Sequence, residues 1–448
     1  PPPALQVPHG ADHDPMAYAA PHLIRTALPL VAAQLAFAAN AFVTQIFLSR
    51  HSATALHASL PGSMLAIALS AFFINTLGYS GTMAAQRHGL GDEHGADAVF
   101  ADALVLSALS IPLFFLAAPL GLAILGVFNT DPAVLAAESA YFKVLLVNGF
   151  FTALAAVLGG YFTGRGQTRL VGGVTIFGFL LNMALAPIFI NGLCGIPTEG
   201  VIGAGWSATI AHIVPCLILA VSIYTNSARR FNLHALHLCT AIPSILRLGL
   251  PNGLRSVIEI GSFFLFSAFL AECAPAAVAA STLLFAINNL PYNAVQGLAQ
   301  AVEILIGHTP DRTRQRGTIF WGIILAIGVA LLYVKVLWLA SVFAPSWFSP
   351  TAPNFSTAEF TNALHALVAV IAAKAVFEFL TLILQAVLRG RGETSAVCRI
   401  QAVVSFGVWI PAYVLVRLFH PNMTAYWLTM FLSGLVSVVL LTRTLRRR

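Results

Sequence analysis

The sequence predicts an all-α membrane protein of twelve spanning helices, arranged as two six-helix lobes related by a pseudo-twofold axis along the membrane normal. Three observations carry this expectation. The composition suits lipid rather than water, twelve apolar runs alternate with short basic connections, and a set of motifs occurs once in each half.

Of the 448 residues, 58% are hydrophobic and only 9% charged, where a soluble domain carries about a quarter charged residues. So few charges cannot cover a water-facing surface of this size, and a mean hydropathy of +0.85 makes lipid the solvent of most of the chain. Only helices and closed barrels satisfy every backbone group in a bilayer. The apolar runs are too long and unbroken for barrel strands, and each reaches the roughly 20 residues that a crossing helix needs. The first half gives spans 24–48, 58–85, 98–126, 138–163, 170–190 and 201–225. The second gives 243–270, 276–307, 317–342, 360–388, 397–419 and 424–443.

The 23 Lys and Arg residues orient the bundle. Seventeen fall at connections on the side of the N-terminus, only Arg50 and Arg417 fall on the other side, and Lys143, Arg255, Lys335 and Lys374 lie within spans. That bias predicts both termini in the cytoplasm and a multi-pass protein of the cell inner (plasma) membrane. The net charge of +7 is scattered in short clusters and forms no basic face, so no nucleic-acid partner is expected. Residues 1–23 read as a cytoplasmic tail without the basic start and apolar centre of a signal peptide. None of the five cysteines forms a C-x-x-C pair, and no metal site is expected. No phosphate-binding G-x-x-x-x-G-K-[ST] occurs, so neither an ATP site nor another cofactor is expected.

The halves repeat. Gly164-Arg-Gly-Gln-Thr168 matches Gly390-Arg-Gly-Glu-Thr394, and Leu28-Pro29 matches Leu250-Pro251. Six spans per repeat give both halves the same orientation, with lobes at 24–228 and 229–448. Two similar lobes around a central cleft suit alternating access better than a channel or a receptor.

At these residues the chain resembles the multidrug and toxic compound extrusion (MATE) family, over about 24–443. The specific pieces are Gly164 to Arg169, Asn182, Gly200-Val-Ile-Gly-Ala-Gly-Trp-Ser-Ala-Thr209, Leu388 to Thr394 and Trp409-Ile-Pro411. The connection Gln86 to His94 suits this family better than the Gly-x-x-x-Asp-Arg-type loop of the major facilitator fold. The resemblance is nearest to the NorM branch. It implies a monomeric exporter of amphipathic organic cations or drugs, driven by antiport with H+ or Na+. A dedicated natural-product exporter and a lipid-linked precursor flippase share the superfamily. A membrane-embedded receptor or enzyme is the alternative of another class, and no H-E-x-x-H or similar cluster supports it.

Ionisable residues inside spans are expensive and therefore informative. The resemblance places Glu259 and Glu378 on the branch's second-lobe cation site, where the second acid is usually Asp. Carboxylates suit Na+ as hard oxygen ligands and equally carry a proton. Lys374 departs from the branch's usual tyrosine; it precedes Glu378 by four residues, as Arg255 precedes Glu259, so each pair shares a helix face. These cations either take the place of the coupling ion or only neutralise the acids. In the first lobe the branch's acidic residue in span 1 is missing, Val43-Thr44-Gln45 standing there, and no deep carboxylate is expected. Gln34, Asn40, Thr44, Asn148 and Asn182 are expected to line that lobe's substrate cavity, and Asn288 the second lobe's. Glu303 is expected to snorkel to the membrane surface, and His212 to be a core histidine.

Overall fold

The computed structural model describes residues 15–447 apart from 52, 129–131, 193–199, 228–238, 271–272, 348–355 and 420–421. Residues 1–14 and the expected lobe junction at 228–229 lie outside the described residues. The first half comprises α1 (Pro15–His51), α2 (Ala53–Gly89), α3 (Glu93–Phe128), α4 (Pro132–Thr163), α5 (Thr168–Asn191) and α6 (Val201–Ser227). The second comprises α7 (Ile242–Leu270), α8 (Pro275–His308), α9 (Arg312–Trp347) and α10 (Thr357–Gly390). One broken span follows, made of α11 (Thr394–Val404), a π-helical turn (Ser405–Trp409) and α12 (Ile410–Phe419), and α13 (Met423–Arg447) ends the bundle.

Ten of these spans are long and apolar enough to cross a membrane. The other two, α7 and α8, have the length but carry Arg255 and Glu259, and Asn288, Asn289 and Asn293, in their middles. Large apolar side chains such as Phe115 and Leu116 are 66% and 72% exposed, which places them against lipid. The chain is therefore a multi-pass membrane protein.

The expected symmetry is visible in what packs on what. In the first half α2 packs on α4, α1 on α5, and α6 on both α4 and α5. In the second, α8 packs on α10, α7 on α11, and α13 on α10 and the broken span. The lobes meet through α1 against α8 and α2 against α7, and each of these contacts is the other's counterpart when the halves are exchanged.

Local geometry repeats as well. Gly166 and Gly392 adopt φ of +75° and +83° in the two Gly-Arg-Gly loops, a left-handed conformation that glycine takes without steric penalty. In the first loop the Gln167 N–H donates to the Phe162 carbonyl at 2.9 Å, and in the second the Glu393 N–H donates to that of Leu388 at the same distance. Pro29 and Pro251 both sit inside their helices, as membrane helices tolerate.

The approach to α7 is tied to the first lobe by Asp102 on α3, which is 1% exposed. Its two oxygens accept the backbone N–H groups of Cys239 and Ala241, each at 2.7 Å. A carboxylate at a helix N-terminus meets both unpaired donors and the helix dipole. Hydrogen bonds to a charged group contribute about 1.5–3 kcal/mol each, so Asp102→Ala is expected to lower the melting temperature of the purified protein markedly. Asp102→Asn, which keeps one acceptor, is expected to lose about half as much.

Candidate functional site

In the second lobe, α7 and α10 each carry a cation and a carboxylate one turn apart. Arg255 Nη1 donates to Glu259 Oε2 at 2.5 Å and to Gln385 Oε1 at 3.3 Å, while Nη2 donates to Ser256 Oγ at 3.2 Å. Lys374 Nζ donates to Glu378 Oε1 at 2.6 Å and lies 5.8 Å from the centre of the Trp427 ring. Asn288 Nδ2 reaches the other oxygen of Glu378 at 3.5 Å. The side chains of Lys374 and Arg255 are 6% and 10% exposed, those of Glu378 and Glu259 23% and 35%. The cations are thus sunk in the bundle and the carboxylates stand nearer to open space.

No hydrogen bond joins the two pairs among the described residues. Tyr292 on α8 nevertheless lies within electrostatic reach of Arg255, Glu259 and Glu378, so both pairs belong to one neighbourhood. Its hydroxyl accepts from Gln296 Nε2 at 3.1 Å. As drawn, the quartet is neutral, and each acid is already matched by a tethered cation. Removing one member of such a buried pair leaves an uncompensated charge, which is strongly unfavourable. A proton added to either carboxylate would therefore loosen its partner, which is a way to convert proton binding into movement.

The first-lobe amides are only partly brought together. Asn182 Nδ2 donates to Asn40 Oδ1 at 2.8 Å, linking α5 to α1. Thr44 Oγ1, Asn148 Oδ1 and Asn182 Oδ1 are buried acceptors without a hydrogen-bond partner among the described residues. Gln34 is half-buried on α1. Buried carboxyl groups occur towards helix starts in this lobe: Asp102, which holds the approach to α7, and Glu138, 1% exposed near the start of α4. Among the described residues, neither Glu138 oxygen has a hydrogen-bond partner. His212 is a core histidine, its Nδ1 2.9 Å from the Ala208 carbonyl.

Glu303 does not snorkel. Arg389 Nε donates to its Oε2 at 2.8 Å, and their side chains are 10% and 12% exposed for Arg389 and Glu303. Thr82 Oγ1, from the other lobe, donates to Glu303 Oε1 at 2.7 Å, and the Tyr79 hydroxyl donates to the Arg389 carbonyl at 2.6 Å. Asn252 Nδ2 on α7 donates to the Asn75 carbonyl on α2 at 2.9 Å. These inter-lobe bonds gather towards the end that carries the two Gly-Arg-Gly loops, so the lobes are joined there. The sequence signal was present in Arg389, which stands immediately before the second loop, but nothing in one sequence pairs it with Glu303.

The sequence model of the MatE family matches residues 29–188 and 251–415. It matches once in each lobe, starting in both at the proline of the duplicated Leu-Pro pair. The chain belongs to the MatE family. It is 26% identical over 342 residues to a protein of Pseudomonas aeruginosa named multidrug resistance protein PmpM, covering 73% of this chain and 70% of that one. It is 28% identical over 301 residues to a protein of Pseudomonas putida named probable multidrug resistance protein NorM, covering 64% of this chain and 63% of that one. The matched stretch thus spans less than two thirds of the second relative. Among solved structures, a MATE transporter of Vibrio cholerae superposes with a TM-score of 0.83 at 18% identity, covering 97% of this chain and 98% of the other. A transporter of the MOP superfamily from Pyrococcus furiosus superposes with 0.82 at 20% identity, covering 97% and 96%. These likenesses give this MatE chain its fold.

Proposed function

We propose that the chain is a secondary active multidrug efflux transporter, not an enzyme, that exports amphipathic organic cations or drugs across the inner membrane by antiport. The names of the PmpM and NorM relatives support the substrate class, and the inter-lobe bonds gathered at the end that carries the Gly-Arg-Gly loops support alternating access. Residues 24–228 and 229–448 are the moving lobes, the protein works as a monomer, and the joined end faces the cytoplasm. The observation that carries the coupling mechanism is the pairing of Glu259 and Glu378 with Arg255 and Lys374.

Lys374 and Arg255 occupy the positions from which a bound Na+ would neutralise the acids, which favours H+ as the coupling ion over Na+. Protonation of Glu378 or Glu259 releases its cation and favours one arrangement of the second lobe, and drug binding favours the other. Asn288, held against Glu378, and the first-lobe side chains Gln34, Asn40, Thr44, Asn148 and Asn182 line the substrate path. One charge moved through roughly 150 mV is worth about 3.5 kcal/mol. That equals about 2.5 decades of substrate gradient, so one coupled ion suffices for efflux.

The test is accumulation of a fluorescent organic cation in inverted membrane vesicles. The reading expects accumulation when a proton gradient is imposed, its collapse when the gradient is dissipated, and no requirement for ATP. Accumulation that needs ATP, or that survives without any ion gradient, would overturn it.

A further inference from the structure

The most specific sequence repeat, the Gly-Arg-Gly-x-Thr loop, takes no part in the charged quartet. Its place in the structure gives it another role. Gln86, at the end of α2, donates from Nε2 to the carbonyl oxygen of Gly390 at 2.8 Å. His308, at the end of α8, has its Nε2 2.7 Å from the carbonyl oxygen of Gly164. Gly164 and Gly390 are the first glycines of the two loops. Gln86 and His308 are separated by the same 222 positions as Pro29 and Pro251. The two bonds are therefore one interaction made twice, each running from a helix end in one lobe to the loop of the other.

The surroundings fit a contact that must close tightly. Ala85 is 0% exposed, and a Cβ placed on Gly307 would lie 3.3 Å from its methyl group. A Cβ on Gly89 would fall 2.3 Å from the His308 carbonyl oxygen, so α2 and α8 approach backbone to backbone there. The His88 and His308 rings stack edge to face at 5.4 Å. Both acceptors are main-chain oxygens held by the conformation of the loop, which explains why the loop recurs as a unit while the donors differ.

We propose that the duplicated loops and the helix-end residues Gln86 and His308 form a twofold inter-lobe latch, and that these two side chains are positioning residues that hold the transporter closed at this end. Each half contributes one bond across the lobe boundary, and both must open before the cavity is exposed on that side. The latch goes beyond the antiport reading in naming the groups that set the resting direction of access. It rests on that reading only in requiring the lobes to part.

The test reads accessibility and not transport, so its failure is distinguishable from failure of the efflux reading. Ala85→Cys is made in the full chain, and labelling by a membrane-impermeant maleimide is followed in inverted vesicles, with the chain lacking that substitution as background. Labelling is expected to be slow, and to quicken about fivefold when either Gln86→Ala or His308→Ala is added, as the loss of one net hydrogen bond implies. The two together are expected to act multiplicatively, at about 25-fold. His308→Gln, which restores to the second half the donor of the first, is expected to return labelling to the slow rate. Unchanged labelling in both alanine variants would overturn the latch. So would labelling as fast with His308→Gln as with His308→Ala, because a donor of the first half's kind would then fail in the second.

Discussion

Glu378→Gln is expected to abolish gradient-driven efflux and also to destabilise the protein. The amide cannot take up or release a proton, so the gradient loses its purchase on α10. It also leaves the Lys374 ammonium, only 6% exposed, without its anionic partner. Breaking a buried pair from one side costs about 3–5 kcal/mol, and the Trp427 face beside the ammonium offsets part of this. The double variant Lys374→Met/Glu378→Gln separates the two effects. It removes both charges together and is expected to regain most of the melting temperature while remaining uncoupled. Glu259→Gln is expected to lose coupling with a smaller loss of stability, since its side chain is 35% exposed and solvent already screens the pair. Full coupled efflux in both single variants would remove the second-lobe mechanism.

The other large effect is expected at Arg389. Arg389→Met leaves Glu303 buried at 12% exposure, with the Thr82 hydroxyl as its remaining hydrogen-bond partner among the described residues. The expected loss is again about 3–5 kcal/mol, read as a lowered melting temperature. Arg389→Met/Glu303→Gln is expected to recover most of it, because the neutral amide still accepts from Thr82. Thr82→Val, which keeps the shape and removes the donor, is expected to cost only about 1 kcal/mol. Its effect should fall on the contact between lobes, not on the fold of either. Equal losses from Thr82→Val and Arg389→Met would contradict the distinction between an ion pair within one lobe and the hydrogen bond that reaches it from the other.

Much of this architecture was legible in the residues. The apolar runs fixed the helices because a bilayer admits little else, and the repeated motifs, 222 residues apart for Leu28-Pro29 and 226 for the Gly-Arg-Gly loops, paired them across the lobes. The offset of 222 also makes Gln86 and His308 counterparts. The i,i+4 spacing of Arg255 with Glu259 and of Lys374 with Glu378 placed each pair on one helix face, where the structure has them bonded. What one sequence cannot show is contact between helices distant along the chain. Glu303 lies near the end of α8, so a path to the membrane surface was the simplest expectation. Its partner stands 86 residues further on, and Thr82 221 residues earlier. Asp102 was hidden in the same way, since its partners are two backbone groups 137 and 139 residues away. Glu138 was placed at the very start of a span, where burial is the hardest property to read from hydropathy.

The π-helical turn at Ser405–Trp409 was equally out of reach. A π turn inserts one residue into the helical repeat and is frequent at functional sites. Here it brings Trp409 and Tyr413 onto the buried side of the second lobe, 7% and 0% exposed, beside Trp427 and Phe266. Of that cluster, Trp427 meets Lys374, whose ammonium lies 5.8 Å from the centre of its ring.

In the proposed mechanism the tethered cations Arg255 and Lys374 take the place of a coupling metal ion, so that protons drive the transporter. The most direct measurement is efflux of a fluorescent organic cation by the wild-type protein in inverted vesicles, under a proton gradient alone and under a Na+ gradient alone. The account predicts transport with the first and none with the second. Transport driven by Na+ with no proton gradient present would contradict it.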